Sequence, residues 1–197
     1  MPYTIRRKAE FSPAAWAGGS TTELFIYPEG TSNAERNFEL RISSATVDLE
    51  ESVFSDFSGY DRHIAPLTGT MRLEHEGHHS VTLLPCQADS FSGNWTTRSF
   101  GKCVDFNLIH RPGWKGSIRG LATPSLLTPE GSGYLGIYAL RDRIAVSLSV
   151  DGESGNEVLN AGDFLLIACA DASERFCLLT CPGPDTECFA IAAFAFR

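Results

Sequence analysis

Two arginines lie in segments whose residue types suit anion recognition. Arg41 opens Arg41-Ile42-Ser43-Ser44-Ala45, and Arg62 closes Phe54-Ser55-Asp56-Phe57-Ser58-Gly59-Tyr60-Asp61-Arg62. A guanidinium offers N–H donors in a rigid planar fork that matches the two oxygens of a carboxylate. A third polar segment, Asp105-Phe106-Asn107-Leu108, adds a carboxylate and an amide. Glu23 and Asp105 are candidates for general acid and base work if they line one pocket. Nucleophilic catalysis has less support. The chain lacks a Gly-x-Ser-x-Gly elbow, and Ser20, Ser43 and Ser55 have no base beside them in sequence. Gly18-Gly19 follows Trp16 and leads into the apolar run Leu24-Phe25-Ile26-Tyr27, so it opens a strand and not a phosphate-binding helix. A glycine pair does permit close backbone approach to a ligand or another chain.

The elements that must carry these side chains are strands. Phe38, Leu40 and Ile42 alternate with Glu39, Arg41 and Ser43; Val104, Phe106 and Leu108 alternate with Asp105 and Asn107; Ile144, Val146, Leu148 and Val150 alternate with Ala145, Ser147 and Ser149. This period of two marks half-buried antiparallel strands, and helical periodicity is nearly absent. It puts Arg41 with Ser43, and Asp105 with Asn107, on faces opposite their apolar neighbours. Spacing leaves three readings open: the polar faces line a pocket, they face water, or Arg41 and Asp105 form a structural ion pair. Trp16, Phe54, Phe57, Tyr60 and Phe106 either wall a cavity or pack a core.

Composition narrows the functional classes. The chain has 197 residues, 43% hydrophobic and 20% charged, long enough for a substantial core and not the composition of a disordered segment. A formal net charge of -8 argues against nucleic acid or an anionic membrane as partner. Met1-Pro2-Tyr3-Thr4-Ile5-Arg6 lacks the apolar stretch of a secretory signal, and no run approaches a membrane span, so a cytoplasmic location is expected. The six cysteines form no C-x-x-C pair and read as buried reduced thiols. In His75-Glu76-Gly77-His78-His79, Glu76-Gly77 reads as a two-residue turn placing His75 opposite His78 at an exposed hairpin tip. His63 and His110 read as surface or packing residues. No metal and no cofactor are expected.

Pro and Gly concentrate in residues 111–133, between two runs that resemble each other. Each reads as strand, hairpin, strand, tight turn, acidic residue and aromatic, with Leu84-Pro85-Cys86-Gln87-Ala88-Asp89-Ser90-Phe91 matched by Leu159-Asn160-Ala161-Gly162-Asp163-Phe164. The expected organisation is all-β: a barrel over residues 1–110, a connection over 111–133 and the remainder of a second barrel over 134–197.

Trp16-x-Gly-Gly-Ser-Thr-x-Glu23, Arg41-x-Ser43-x-Ala45, Phe54-Ser55-x-Phe57-x-Gly59-x-x-Arg62 and Asp105-Phe106-Asn107-Leu108, in this order and approximate spacing, resemble the HutD/Ves family. The resemblance implies a bicupin, two antiparallel jelly-roll-type barrels in one chain. It also implies a role in binding or sensing a small carboxylate, linked to histidine utilisation or stress, here without metal because the histidines of this sequence offer no barrel site. Many members read Trp-Lys-Asn-Gly-Gly-Gly where this chain has Trp16-Ala17-Gly18-Gly19. On this reading Arg41 and Arg62 bind the carboxylate, and Ser43, Ser55 and Asn107 orient it. Thr22, Glu23 and Asp105 complete the lining, and Gly18 and Gly19 let the N-terminal segment cover the site. The partner is a small anionic metabolite. The alternatives are a cupin isomerase or hydrolase using Glu23 or Asp105 as general base, and a structural protein whose second barrel forms a homodimer.

Overall fold

Alternating apolar residues pair into antiparallel sheets throughout the computed structural model, which describes residues 3–129, 131–150, 152–170, 175–183 and 187–197. The first strand, β1 (Tyr3–Arg6), is followed by a short 3-10 turn over Lys8–Glu10. Ten strands follow: β2 (Ala14–Trp16), β3 (Gly19–Tyr27), β4 (Leu40–Val47), β5 (Glu51–Val53), β6 (Asp61–Gly69), β7 (Met71–His75), β8 (Ser80–Leu83), β9 (Asp89–Ser92), β10 (Thr97–Phe100) and β11 (Cys103–His110). The remainder are β12 (Lys115–Leu121), β13 (Ser125–Leu127), β14 (Gly133–Ala139), β15 (Ile144–Val150), β16 (Glu153–Leu159), β17 (Phe164–Cys169), β18 (Arg175–Thr180) and β19 (Ala190–Phe196). The described residues contain no α-helix.

The strands form four open sheets, ordered β2-β3-β4-β11-β6-β9, β5-β10-β7-β8, β1-β17-β14-β19-β12 and β13-β18-β15-β16. The pairing pattern of β4–β11 recurs in β12–β19. In the first set β4 pairs β11, β5 pairs β10, β6 pairs β9 and β11, and β7 pairs β8 and β10. In the second, β12 lies beside β19, β13 pairs β18, β14 pairs β17 and β19, and β15 pairs β16 and β18. The weak sequence repeat is therefore a repeat of topology.

The chain divides into two compact units, residues 11–118 and residues 1–10 with 119–197. This corrects the boundaries expected from sequence. Residues 1–10 do not belong with the first unit, because β1 adds to β17 with Tyr3 opposite Ile167 and Arg6 opposite Phe164. Arg7 and Lys8 reinforce the assignment: the Arg7 guanidinium and the Lys8 backbone N–H both donate to the buried Asp163 carboxylate, at 2.8 and 3.0 Å. The Pro/Gly-rich segment 111–133 is not a simple connection either, since it contains β12 and β13.

Each unit buries its core between its own two sheets. In the 11–118 unit, Val47, Ile64, Phe91 and Cys103 of the larger sheet meet Met71, Leu73 and Leu83 of the smaller. In the other unit Ile144, Val146, Leu148 and Val150 line up inward along β15 as their alternation requires. In β4 and β11 the alternation means something different. Leu40 to Ser43 and Asp105 to His110 are all buried, so both faces of these central strands are dry.

Four of the cysteines, Cys103, Cys169, Cys177 and Cys181, are buried and in no disulfide, as expected. Burial pushes the Cys103 and Cys177 thiols up to about 12, which leaves them unreactive near neutral pH. Cys86 and Cys188 are disulfide cysteines, which corrects the expectation of six reduced thiols. Among the described residues, no helix is long and apolar enough to cross a membrane.

Candidate functional site

The polar faces of β4 and β11 turn toward the interior of the 11–118 unit. The registers set out three rows across β3, β4, β11 and β6. Thr21, Ala45, Asp105 and Pro66 form one, and Glu23, Ser43, Asn107 and Ile64 the next. Ile26, Arg41, Ile109 and Arg62 form the third, which Phe91 of β9 extends. Directly opposite residues in an antiparallel pair share a face, so the rows bring Glu23, Arg41, Ser43, Arg62, Asp105 and Asn107 together. Except for Glu23, all of these are buried.

Their bonds form two short chains. Arg41 Nε donates to Glu23 Oε2 at 2.9 Å, and an Arg41 terminal nitrogen donates to Ser43 Oγ at 2.9 Å. Arg62 donates to Asn107 Oδ1 at 3.3 Å, and the Asn107 amide donates in turn to Asp105 Oδ1 at 2.6 Å. Arg41 thus pairs with Glu23, and the cation acting on Asp105 is Arg62, so of the three open readings the Arg41–Asp105 ion pair is not formed.

Arg62 is held unusually for a charged side chain. Its guanidinium carbon lies 4.7 Å from the Phe54 ring centre, 5.0 Å from Phe57 and 5.1 Å from Phe91. Ring faces attract a cation, but they accept no conventional hydrogen bond. Arg62 Nε is buried without any hydrogen-bond partner. Burial pulls the Arg62 guanidinium down to about 10, against the support of Asp105, and Arg36 and Arg41 add repulsion. Burial also pushes the Asp105 carboxyl up to about 7, against the opposing pull of Arg62, Asn107 and a backbone bond from Ala45. The site therefore has cationic donors in excess and one carboxyl poised to change charge near neutral pH.

Several expected site residues lie elsewhere. Thr22 pairs with Ser44 and so shares its face with Phe106, opposite Glu23. Ser55 is exposed in the loop before Phe57. Gly18 and Gly19 serve the hairpin between β2 and β3 and do not cover the arginines. A Cβ on Gly18 would fall 2.1 Å from the Trp16 ring, and one on Gly19, at φ +151, would fall 1.8 Å from the Thr46 carbonyl oxygen. Trp16 itself is 44% exposed and bonds to Thr21, and Phe106 packs on the opposite face of β11.

Sequence reading missed two residues of this neighbourhood. Phe91 belongs to it only because β9 pairs with β6, a long-range event without a local signal. Arg36 has a positive φ of 53° and stacks 3.6 Å above the Phe57 ring, in a loop whose carbonyls at Arg36 and Phe38 accept from the Tyr60 hydroxyl.

Of the surface and packing readings, His63 and His110 take the packing one. His63 and His110 are buried and joined through their Nε2 atoms at 3.0 Å. His63 Nδ1 faces Ser90 Oγ at 2.7 Å, and His110 Nδ1 faces the Arg111 carbonyl at 3.0 Å. Gly116 lets β12 pass beside them, because a Cβ there would meet His110 Nε2 at 2.4 Å. The network closes with both rings neutral: His110 donates to Arg111, His63 donates to His110, and Ser90 donates to His63. Burial lowers His63 from 6.5 to about 4, with His110 adding to the effect. The unfolded chain then binds the extra proton first, so the neutral His63 favours folding fully above about pH 6.5 and loses that contribution as pH falls toward 4. The loss should amount to about 2–3 kcal/mol. Urea unfolding at pH 7 and pH 4 should show a smaller acid loss in His63→Gln than in the parent.

The His75–His79 hairpin is real, but its turn is not two residues long. His75 and His79 are paired, with the His75 N–H donating to the His79 carbonyl at 2.9 Å, so Glu76-Gly77-His78 forms the turn. His75 is not at an exposed tip: its side chain is fully buried.

The HutD family model matches residues 8–180. A conserved protein of unknown function from Pseudomonas aeruginosa is 28% identical, with 99% of each chain covered and a TM-score of 0.81. HutD from Pseudomonas fluorescens is 22% identical, with 98% of each chain covered and a TM-score of 0.75. Oxalate decarboxylase from Bacillus subtilis shares the cupin-like fold at 8% identity, over 96% of this chain and 76% of that one, with a TM-score of 0.62. No curated protein matches the chain significantly.

Proposed function

The chain belongs to the HutD family, and we propose that it is a bicupin that binds a small carboxylate beside Arg41 and Arg62, in a regulatory or sensing role linked to histidine utilisation or stress. The bicupin reading is supported by the recurrence of the β4–β11 pairing pattern in β12–β19. The carboxylate reading is carried by Arg62, a buried cation with an unpartnered Nε and three phenylalanine rings for neighbours. A buried donor without an acceptor costs about 1–3 kcal/mol, and more when charged. A carboxylate oxygen at Nε would remove that cost and add a charge-assisted bond. Family members share the protein type and need not share the ligand.

The test is calorimetry on the full chain near pH 6 with formate, glutamate, N-formylglutamate and N-formiminoglutamate. Formate is the smallest probe, and the Pseudomonas fluorescens HutD structure was obtained in a formate condition. Saturable one-to-one binding of at least one of these is expected. A flat titration with all four overturns the reading.

A second reading has its own observation. A carboxyl near pH 7 is matched to proton transfer, so Asp105 could act as general base on a bound substrate. Glu23 is the weaker candidate, since its carboxylate is committed to Arg41 and its side chain is 41% exposed. Turnover of a bound carboxylate with a pH limb near 7, lost in Asp105→Asn, would favour the enzyme.

A further inference from the structure

Three metal-binding side chains meet at the end of the 11–118 unit that carries the β7–β8 turn. His75 closes β7, His79 stands directly before β8, and Asp89 opens β9. Because β9 belongs to the six-stranded sheet and β7 and β8 to its four-stranded partner, the three converge from both sheets. Both imidazoles address one carboxylate: His75 Nε2 lies 2.9 Å from Asp89 Oδ2, and His79 Nε2 lies 3.1 Å from the same oxygen. One ligand atom from each residue falls within 4.8 Å of the others. Ligands on a tetrahedral zinc ion, with bonds of about 2.0–2.1 Å, stand about 3.3 Å apart. Small side-chain adjustments would open the observed triangle to that size.

The surroundings are already built to orient a ligand. His75 Nδ1 lies 2.8 Å from Thr97 Oγ1, whose hydroxyl donates to the Trp95 carbonyl at 3.2 Å. That hydroxyl has a single proton, so with it directed at Trp95 its oxygen accepts from His75 Nδ1–H. The Nε2 lone pair is then left facing Asp89. Fixing one ring nitrogen in this way is the usual outer arrangement around a metal-bound histidine. Phe91 and Trp95 flank the His75 ring at 4.4 and 5.7 Å, which holds its plane. Exposure is graded: the His75 side chain is 0% exposed, Asp89 15% and His79 41%. The site thus has a buried anchor and an open side by which an ion can enter and keep water.

We propose that His75, His79 and Asp89 form a binding site for a first-row divalent transition metal, with Zn2+ as its simplest occupant. Imidazole nitrogens and one carboxylate oxygen suit such ions better than Ca2+ or Mg2+, which take mainly oxygen ligands. The site is separate from the arginine row, although Phe91 borders both, with its ring centre 4.4 Å from the His75 ring and 5.1 Å from the Arg62 guanidinium carbon. It departs from the sequence expectation of no metal, because folding buries His75 and delivers Asp89.

The test uses the full chain after chelator dialysis, titrated with Zn2+ by calorimetry and with Co2+ followed by its visible d–d absorption. One equivalent per chain is expected. His79→Ala and Asp89→Asn should each weaken binding at least tenfold, whereas His78→Ala, which removes an exposed ring stacked on Trp95, should change it less than twofold. Circular dichroism on each variant separates lost ligands from lost fold. Absence of binding by the parent overturns the proposal. So does binding that survives Asp89→Asn, or that follows His78 instead, since either would mark an adventitious surface histidine site.

Discussion

Replacing Arg62 with methionine should abolish most carboxylate binding while leaving the protein folded and at least as stable. The direction of the stability change is the informative part. Arg62 sits among Phe54, Phe57 and Phe91 with its Nε unpartnered, a desolvated charge in an apolar cage. Methionine fills similar volume and packs well against aromatic rings. Swapping a buried ion-pair member for an apolar residue is destabilising when it strands the other charge. Here Asp105 can avoid that outcome, because its carboxyl already lies near 7 and loses its main charge-stabilising neighbour with Arg62, so it becomes neutral. A charge-assisted bond contributes about 1.5–3 kcal/mol, so affinity should fall by roughly tenfold to more than a hundredfold. Arg41→Lys should also weaken binding, by less, since the charge stays and the planar fork is lost. Calorimetry and thermal melts on the same samples check both. If Arg62→Met unfolds the chain or binds the parent's ligand normally, Arg62 is a structural residue and not the anion's partner.

The second large effect is on pH. A bound carboxylate and an ionised Asp105 would compete for Arg62, so the ligand should bind best with Asp105 protonated. Asp105 is raised to about 7 by burial, hence affinity should be nearly constant below pH 6 and decline above pH 7. If one proton must be taken up for binding, the decline approaches about tenfold per pH unit. Titrations at pH 6, 7, 8 and 9 would show it. Asp105→Asn keeps the oxygen that accepts from Asn107 and removes the charge, so its affinity should stay level over the same range. A parent whose affinity is unchanged from pH 6 to 9 would show that Asp105 does not share the ligand's cation.

Strand identity was legible because it depends on local alternation. Ile144, Val146, Leu148 and Val150 needed only their period to be placed in a core, and the structure buries all four. The turn-and-aromatic repeat around Asp89 and Asp163 was legible for the same reason, since Asp89 opens β9 and Asp163 stands directly before β17, strands that pair alike. The family motifs likewise marked Arg41, Ser43, Arg62, Asp105 and Asn107, all now on one buried face.

Period two cannot say which face of a strand is dry. In β15 the polar alternates point away from the core, as their composition suggests; in β4 and β11 they are buried along with the apolar ones. That difference is set by the strands' place in the middle of a six-stranded sheet and by what packs on each face, and neither is written in their own residues. Long-range pairing made the other decisions. It sent β1 to β17, so residues 1–10 joined the second unit, and brought β9 beside β6, so Phe91 reached Arg62. It carried Asp89 to His75 across fourteen positions of chain. Sequence alone determined the all-β class, the repeat and the residue types available for chemistry. Tertiary structure alone decided which of those side chains are desolvated together, because burial and proximity arise from sheet order and register, which join residues far apart in the chain.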